Sequence, residues 1–227
     1  MFFDWTYIVI VLPAVILAML AQAKVKSTFA SYDKITTSRR FTGYDAARRI
    51  LDANGLTHIA IEHVQGELTD HYDPKAGVIR LSDSTYANTS VAAVGVAAHE
   101  AGHAVQHATG YSPMKLRSAI IPITNIGSNL AMPLVLLGLL LSMPPLAYLG
   151  IAAFSLSTLF QLITLPVEYN ASNRAAAILG TSDMLDQTEV SKVKKVLSAA
   201  ALTYVAALAV SLANLLRLMI IVGRRKR

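Results

Sequence analysis

SVAAVGVAAHEAGHAVQHATG, residues 90–110, is the stretch on which the reading of this chain turns. It is apolar enough to pass for a transmembrane helix, yet His99, Glu100, His103 and His107 fall within nine of its residues. Ionisable groups at that density would be very costly facing lipid. The stretch therefore reads as the buried helix of a small folded region, from about Val91 to His107, with Thr89 or Ser90 as its cap. On a helix, residues four apart lie one above the other on the same face, so His99 and His103 can reach a single metal ion. Glu100 would then lie close enough to handle the proton of a metal-activated water. The competing reading is a polar stripe on a core helix with no metal at all.

Composition sets the surroundings. Hydrophobic residues make up 54% of the 227 and the mean hydropathy is +0.47, high for a soluble domain. The excess lies in four runs, residues 5–23, 118–142, 145–165 and 196–222. A helix needs about 20 residues to cross a hydrocarbon core of ~30 Å, and each run is long enough. Pro13, Pro122 and Pro133 interrupt them, which a bilayer tolerates where neighbouring helices accommodate the break. Ala21-Gln22-Ala23 resembles a signal-peptidase site. The first four residues carry no basic charge and the apolar core is long, so an uncleaved anchor is expected. There are no cysteines, which excludes a disulfide framework and any thiolate metal site. Much of the net charge of +6 flanks the apolar runs, at Lys24, Lys26, Lys115, Arg117, Lys192, Lys194, Lys195 and the tail from Arg224 to Arg227. That placement suits membrane anchoring and gives no reason to expect nucleic-acid binding.

Mixed polarity fills the interval between the first and second runs. TGYDAARRILDAN, residues 42–54, has an amphipathic helical period, with Thr42 to cap it and Gly55 to stop it. Residues 58–64 alternate as a half-buried strand does, and 68–72 and 78–82 read as two more strands joined by the turn Asp73-Pro74-Lys75-Ala76-Gly77.

A hydrolytic zinc site needs a third protein ligand and one open position. His107 shares the helix face, but eight residues along a straight helix is ~12 Å of rise against zinc–nitrogen bonds of ~2 Å. Glu168 is the better candidate. The second and third runs are joined by Met143-Pro144-Pro145, so two crossings return the chain to the side it left, and Glu168 follows directly. Residues from Pro166 to Arg174 read as the start of a helix, which leaves open that Glu168 serves only that helix's N-terminus.

At these residues the chain resembles the YugP-like bacterial membrane proteases, a family of neutral zinc metallopeptidases. The matching stretches are AQAKVKS, ILDANGL, LTDHYDP, IRLS, VAAHEAGHAVQ, NIGSNL, FQLITLPVEYNAS and VLSAAALTYVAA, spread from the first run to the last. The resemblance implies a zinc-dependent membrane endopeptidase with His99, His103 and Glu168 as ligands and Glu100 as the base. The chain is more distantly similar to HtpX-type membrane proteases, in which E-x-x-x-D follows the histidine motif. Ser172 stands here where that pattern has Asp, so Asn170, Ser172 or Asn173 would have to hold an imidazole by a neutral hydrogen bond. His71, Tyr72, Tyr169 and Arg174 are further candidates for stabilising a developing oxyanion.

The expected fold is a mainly α membrane protein with about four transmembrane helices and a small α+β zincin-like (gluzincin) catalytic region containing a short hairpin or sheet. Its divisions are an anchor at 1–23, the catalytic region at 24–117, a transmembrane hairpin at 118–165, a ligand-bearing helix and linker at 166–195, and a last span with its basic tail at 196–227. The expected activity is hydrolysis of protein or peptide substrates, chiefly membrane proteins, with one zinc ion per chain, in a lipid bilayer and without nucleic acid. Two alternatives remain: an intramembrane protease of the site-2 type, which would want an Asp ligand that none of the last three runs contains, and a catalytically silent zinc-binding scaffold. Eleven basic residues lie within about 20 positions of a run on the histidine side, against four in the tail, which favours a cytoplasmic zinc site. A single cysteine introduced at Lys75 should resist an impermeant thiol reagent in intact cells and react once they are permeabilised. Reaction in intact cells would put the site on the outer face.

Overall fold

The computed structural model describes residues 5–224. The expectations for residues 1–4 and for the last three basic residues lie outside that range. The described chain is mostly helical. A π-helical stretch Tyr7–Val11 leads into α1 (Leu12–Asp33), followed by α2 (Gly43–Ala53), β1 (Ala60–Val64), β2 (His71–Asp73), β3 (Val78–Ser82), α3 (Val91–Ala108), α4 (Ser112–Leu140), α5 (Pro144–Thr181) and α6 (Gln187–Arg224). Four helices are long and apolar enough to cross a membrane: Tyr7–Asp33, Ser112–Leu140, Pro144–Thr181 and Gln187–Arg224. The described residues divide into two compact units, one of 5–22, 115–166 and 202–224, the other of 23–114 and 167–201.

In the second unit, α2 starts where its sequence directs. Thr42 Oγ1 accepts the Asp45 N–H at 3.1 Å and the Asp45 carboxylate accepts the Thr42 N–H at 2.9 Å, a closed capping box. Gly55, at φ +71°, takes the left-handed turn that ends the segment. Ala46, Ala47, Ile50 and Leu51 form the buried face. Arg48 then fastens the exit loop, its guanidinium donating to the carbonyls of Ile59 (2.7 Å) and Leu56 (2.9 Å).

The sheet has the order β1-β3-β2. β2 and β3 form the expected antiparallel hairpin, with the Asp73 carboxylate accepting the N–H groups of Lys75 and Ala76 to shape its turn. One expectation needs correction. The second strand covers only His71–Asp73, not 68–72, because Asp70 Oδ1 takes the Ser82 N–H at 2.8 Å and Leu68 sits at φ +55°. That side chain ends the hairpin ladder before residue 70 reaches it. In addition β1 pairs parallel with β3, aligning Ala60 with Val78. The central β3 is buried along most of its length, which accounts for its apolar run Val78-Ile79 and Leu81.

α3 is capped by Ser90, whose Oγ accepts the Ala93 N–H at 3.1 Å. Its apolar residues enter a protein core: Val91, Val94, Ala97, Ala101 and Val105 cluster with Ile50, Leu81, Leu179, Val193 and Leu197. The stretch that could pass for a membrane span is therefore hydrophobic because protein surrounds it.

The other unit is packed through small residues. A Cβ on Gly138 would stand 2.4 Å from the Ala147 nitrogen, and one on Gly150 would stand 2.7 Å from the Ala131 oxygen, so α4 and α5 run nearly backbone to backbone. The expected helix start at Pro166 does not occur, since α5 passes straight through that proline. A proline removes one rung of the helical ladder, a loss that packed neighbours can absorb. Glu168 thus lies inside a long helix and does not cap a new one.

Candidate metal centre

α3 and α5 come together at Gly102. A Cβ there would lie 2.8 Å from the Ala171 carbonyl oxygen, closer than real side-chain carbons come to backbone. Only a residue without a side chain permits this approach, and it sets the separation at which groups on the two helices can meet. Flanking that contact, His99 and His103 point from α3, and Glu168 points from one turn before Ala171 on α5.

Glu168 Oε2 stands 3.2 Å from His99 Nε2 and 3.4 Å from His103 Nε2. The imidazoles meet nearly edge to face, with centroids 4.6 Å apart. One donor atom from each of the three residues falls within 4.8 Å of the others, close enough to share a metal ion. Glu168 is 2% exposed, and Glu100 is also buried, near enough to His103 for its charge to act on that ring.

The far nitrogens of the two rings are held as well. Gln106 Nε2 donates to the Val167 carbonyl at 2.8 Å and to Asn170 Oδ1 at 3.0 Å. Because a carbonyl can only accept, the amide nitrogen of Gln106 must face it. Its Oε1, 3.0 Å from His103 Nδ1, must then accept a proton from that ring nitrogen. This fixes the His103 tautomer and leaves the Nε2 lone pair aimed at the cluster. Ser172 Oγ lies 3.1 Å from His99 Nδ1 and can accept in the same manner.

Nitrogen lone pairs and a carboxylate directed at one point repel unless a positive charge lies among them. That charge is a metal ion or a proton. Burial disfavours a charged His103, but its hydrogen bond to Glu168 and the nearby charges of Glu100 and Glu168 outweigh burial and hold the group above the ordinary histidine value. Two imidazole nitrogens and one carboxylate oxygen, with no thiolate, are a donor set that fits zinc with a position left open.

The remaining candidates are placed as follows. His107 is exposed and its Nδ1 lies 2.9 Å from the Tyr72 hydroxyl, outside the three-residue cluster. Burial and the neighbouring Asp73 raise the Tyr72 phenol above its usual value. His71 is engaged within the hairpin, by the Thr69 carbonyl at 2.9 Å and the Arg80 guanidinium at 3.4 Å. Among the described residues Asn170 has no hydrogen bond to an imidazole; it accepts from Gln106 and from Arg174 Nε (2.8 Å), so Arg174 braces the amide network. Tyr169 and Asn173 line an open cavity of about 160 Å³ that Ser172, Lys194 and Ser198 also border. Gln106 and Gly102 carry the arrangement and went unread in the sequence. The signal for Gln106 was its spacing, seven residues after His99 and therefore on the same helix face.

With this geometry in view, relatives place the chain. The profile of the family described as "Putative neutral zinc metallopeptidase" matches residues 7–223. The chain belongs to that family. It is also 49% identical over 215 residues to "Putative membrane protease YugP" of Bacillus subtilis (strain 168), covering 95% of this chain and 96% of that protein. No solved structure matches the chain. The family name implies zinc, and the relative's name together with four long apolar helices marks this family member as a membrane protein.

Substituting Gly102 by Leu should force α3 and α5 apart and lower the zinc retained per chain at least tenfold. Gly180→Ala, where a Cβ meets only Val190 at 3.8 Å, should leave it unchanged. Full zinc retention by Gly102→Leu, measured as metal per protein, would refute the claim that this contact sets the site.

Proposed function

We propose that the chain is a zinc-dependent endopeptidase that hydrolyses peptide bonds of protein substrates, membrane proteins among them, at the membrane surface. The convergence of His99, His103 and Glu168 on one buried point, with Glu100 adjacent, is the observation that supports this reading most strongly. His99 and His103 would hold one zinc ion through Nε2 and Glu168 would hold it through a carboxylate oxygen, a gluzincin-type set. When bound, zinc supplies the Lewis acidity that polarises a scissile carbonyl and acidifies water.

The other steps belong to the chain. Glu100 takes the proton of the attacking water and passes it to the leaving amide nitrogen, so that an amine departs. Gln106 and Ser172 keep the two rings turned so that their Nε2 atoms stay directed inward. Burial of Glu100 and His103 limits the water around that proton transfer. The distribution of basic residues favours a site facing the cytoplasm.

Glu100→Gln keeps the size of the side chain and removes its basicity. This variant should retain zinc at the level of the unaltered protein and lose peptide cleavage by about 10²–10⁴-fold. Undiminished turnover would rule Glu100 out as the base. Absence of cleavage by the unaltered, zinc-loaded protein on any membrane-protein substrate would favour the silent scaffold.

A further inference from the structure

Polar side chains in the apolar unit divide into two kinds. Most are satisfied within the chain. Ser128 Oγ donates to the Thr124 carbonyl, Thr164 Oγ1 to that of Phe160 and Asn214 Nδ2 to that of Val210, while Thr158 and Ser211 pair at 2.8 Å. Asn125 and Asn129 on α4 are not, and neither is the half-buried Gln161 on α5. The two asparagines are exposed, and neither side chain has a hydrogen bond to any described residue. Both lie inside the apolar run 118–142, on a helix suited to crossing a bilayer. A carboxamide that faces hydrocarbon without a partner is unfavourable, because lipid offers neither donor nor acceptor.

The two asparagines are four residues apart and so share a face, which continues through Met132 and Leu136, also exposed. The opposite side of α4 is already used, with Gly127 lying against Ala153 of α5. One stripe thus carries two unpaired amides followed by two apolar side chains that a neighbouring helix could cover.

We propose that this face of α4 is a dimer interface that packs against the same face of a second copy of the chain. The chemistry of the amide selects that occupant. A carboxamide carries both a donor and an acceptor, so two identical ones facing across a two-fold axis satisfy each other without any further group. A second copy in the same membrane, inserted in the same direction, brings each asparagine to the depth of its counterpart. An unrelated helix would have to carry a polar residue at each matching depth. Two amide pairs one turn apart also fix the register of the pairing.

The chain contains no cysteine, so introduced ones report on their own. In native membranes, oxidation of Met132→Cys or Leu136→Cys should give a product of twice the chain mass. Ile126→Cys and Leu137→Cys, exposed but about 100° or more around the helix, should give at least tenfold less. Adding Asn125→Leu and Asn129→Leu to Met132→Cys should lower its cross-linking at least tenfold. These replacements keep the helix apolar and leave its contacts with α5 untouched, and total membrane-inserted protein serves as the control. Equal cross-linking at all four positions, none at any, capture of a different protein at Met132→Cys, or insensitivity to the double leucine change would each overturn the dimer. Catalytic activity has no part in the readout, so the result is independent of the proposed hydrolysis.

Discussion

Two imidazole nitrogens and a carboxylate oxygen brought to one buried point need a cation between them, and the arrangement around them follows from that need. Mutual repulsion would spread such a group unless something holds it in place. Here the restraint is the contact of Gly102 with the Ala171 backbone, together with hydrogen bonds that fix each ring from behind. The alanines of α3 belong to the same requirement. Ala97, Ala101 and Ala104 are fully buried and small, so their helix can approach its neighbours closely on several sides. The low polarity of that core raises the cost of leaving the cluster without a positive charge.

Much of this was legible because local chemistry carried it. Thr42 announces the cap of α2, Thr89 or Ser90 the start of α3, which the structure assigns to Ser90, and His99 and His103 share a face on any helix. Glu168 could be found by counting crossings, since a helical hairpin returns the chain to the side it left. What escaped depended on contacts between distant segments. The parallel pairing of β1 with β3 is one case, because alternation along a strand does not name its neighbour. The shortened β2 is another, decided by Asp70 capturing the Ser82 N–H. Pro166 misled for a different reason. Its local signal ends helices in water, while packing carries α5 through it to Thr181. Gln106 was readable as a polar residue on the histidine face, but its role appears only once Val167 and Asn170 lie opposite.

The same logic of satisfied polarity runs through the apolar unit. Serines and threonines there bond to carbonyls of their own helices or to one another. Two departures from this pattern carry the proposals made above: the inward cluster, which could hold a cation, and the exposed asparagines of α4. Membership of a family described as zinc metallopeptidases agrees with the first of these and is silent on the second.

The central claim is that one zinc ion is held by two imidazoles and the Glu168 carboxylate. X-ray absorption at the zinc edge of the purified, zinc-loaded protein tests it directly. The account predicts two imidazole nitrogens and oxygen donors at ~2.0–2.2 Å, with an altered oxygen shell in Glu168→Ala. A first shell with three imidazoles, or a spectrum that Glu168→Ala leaves unchanged, would contradict it.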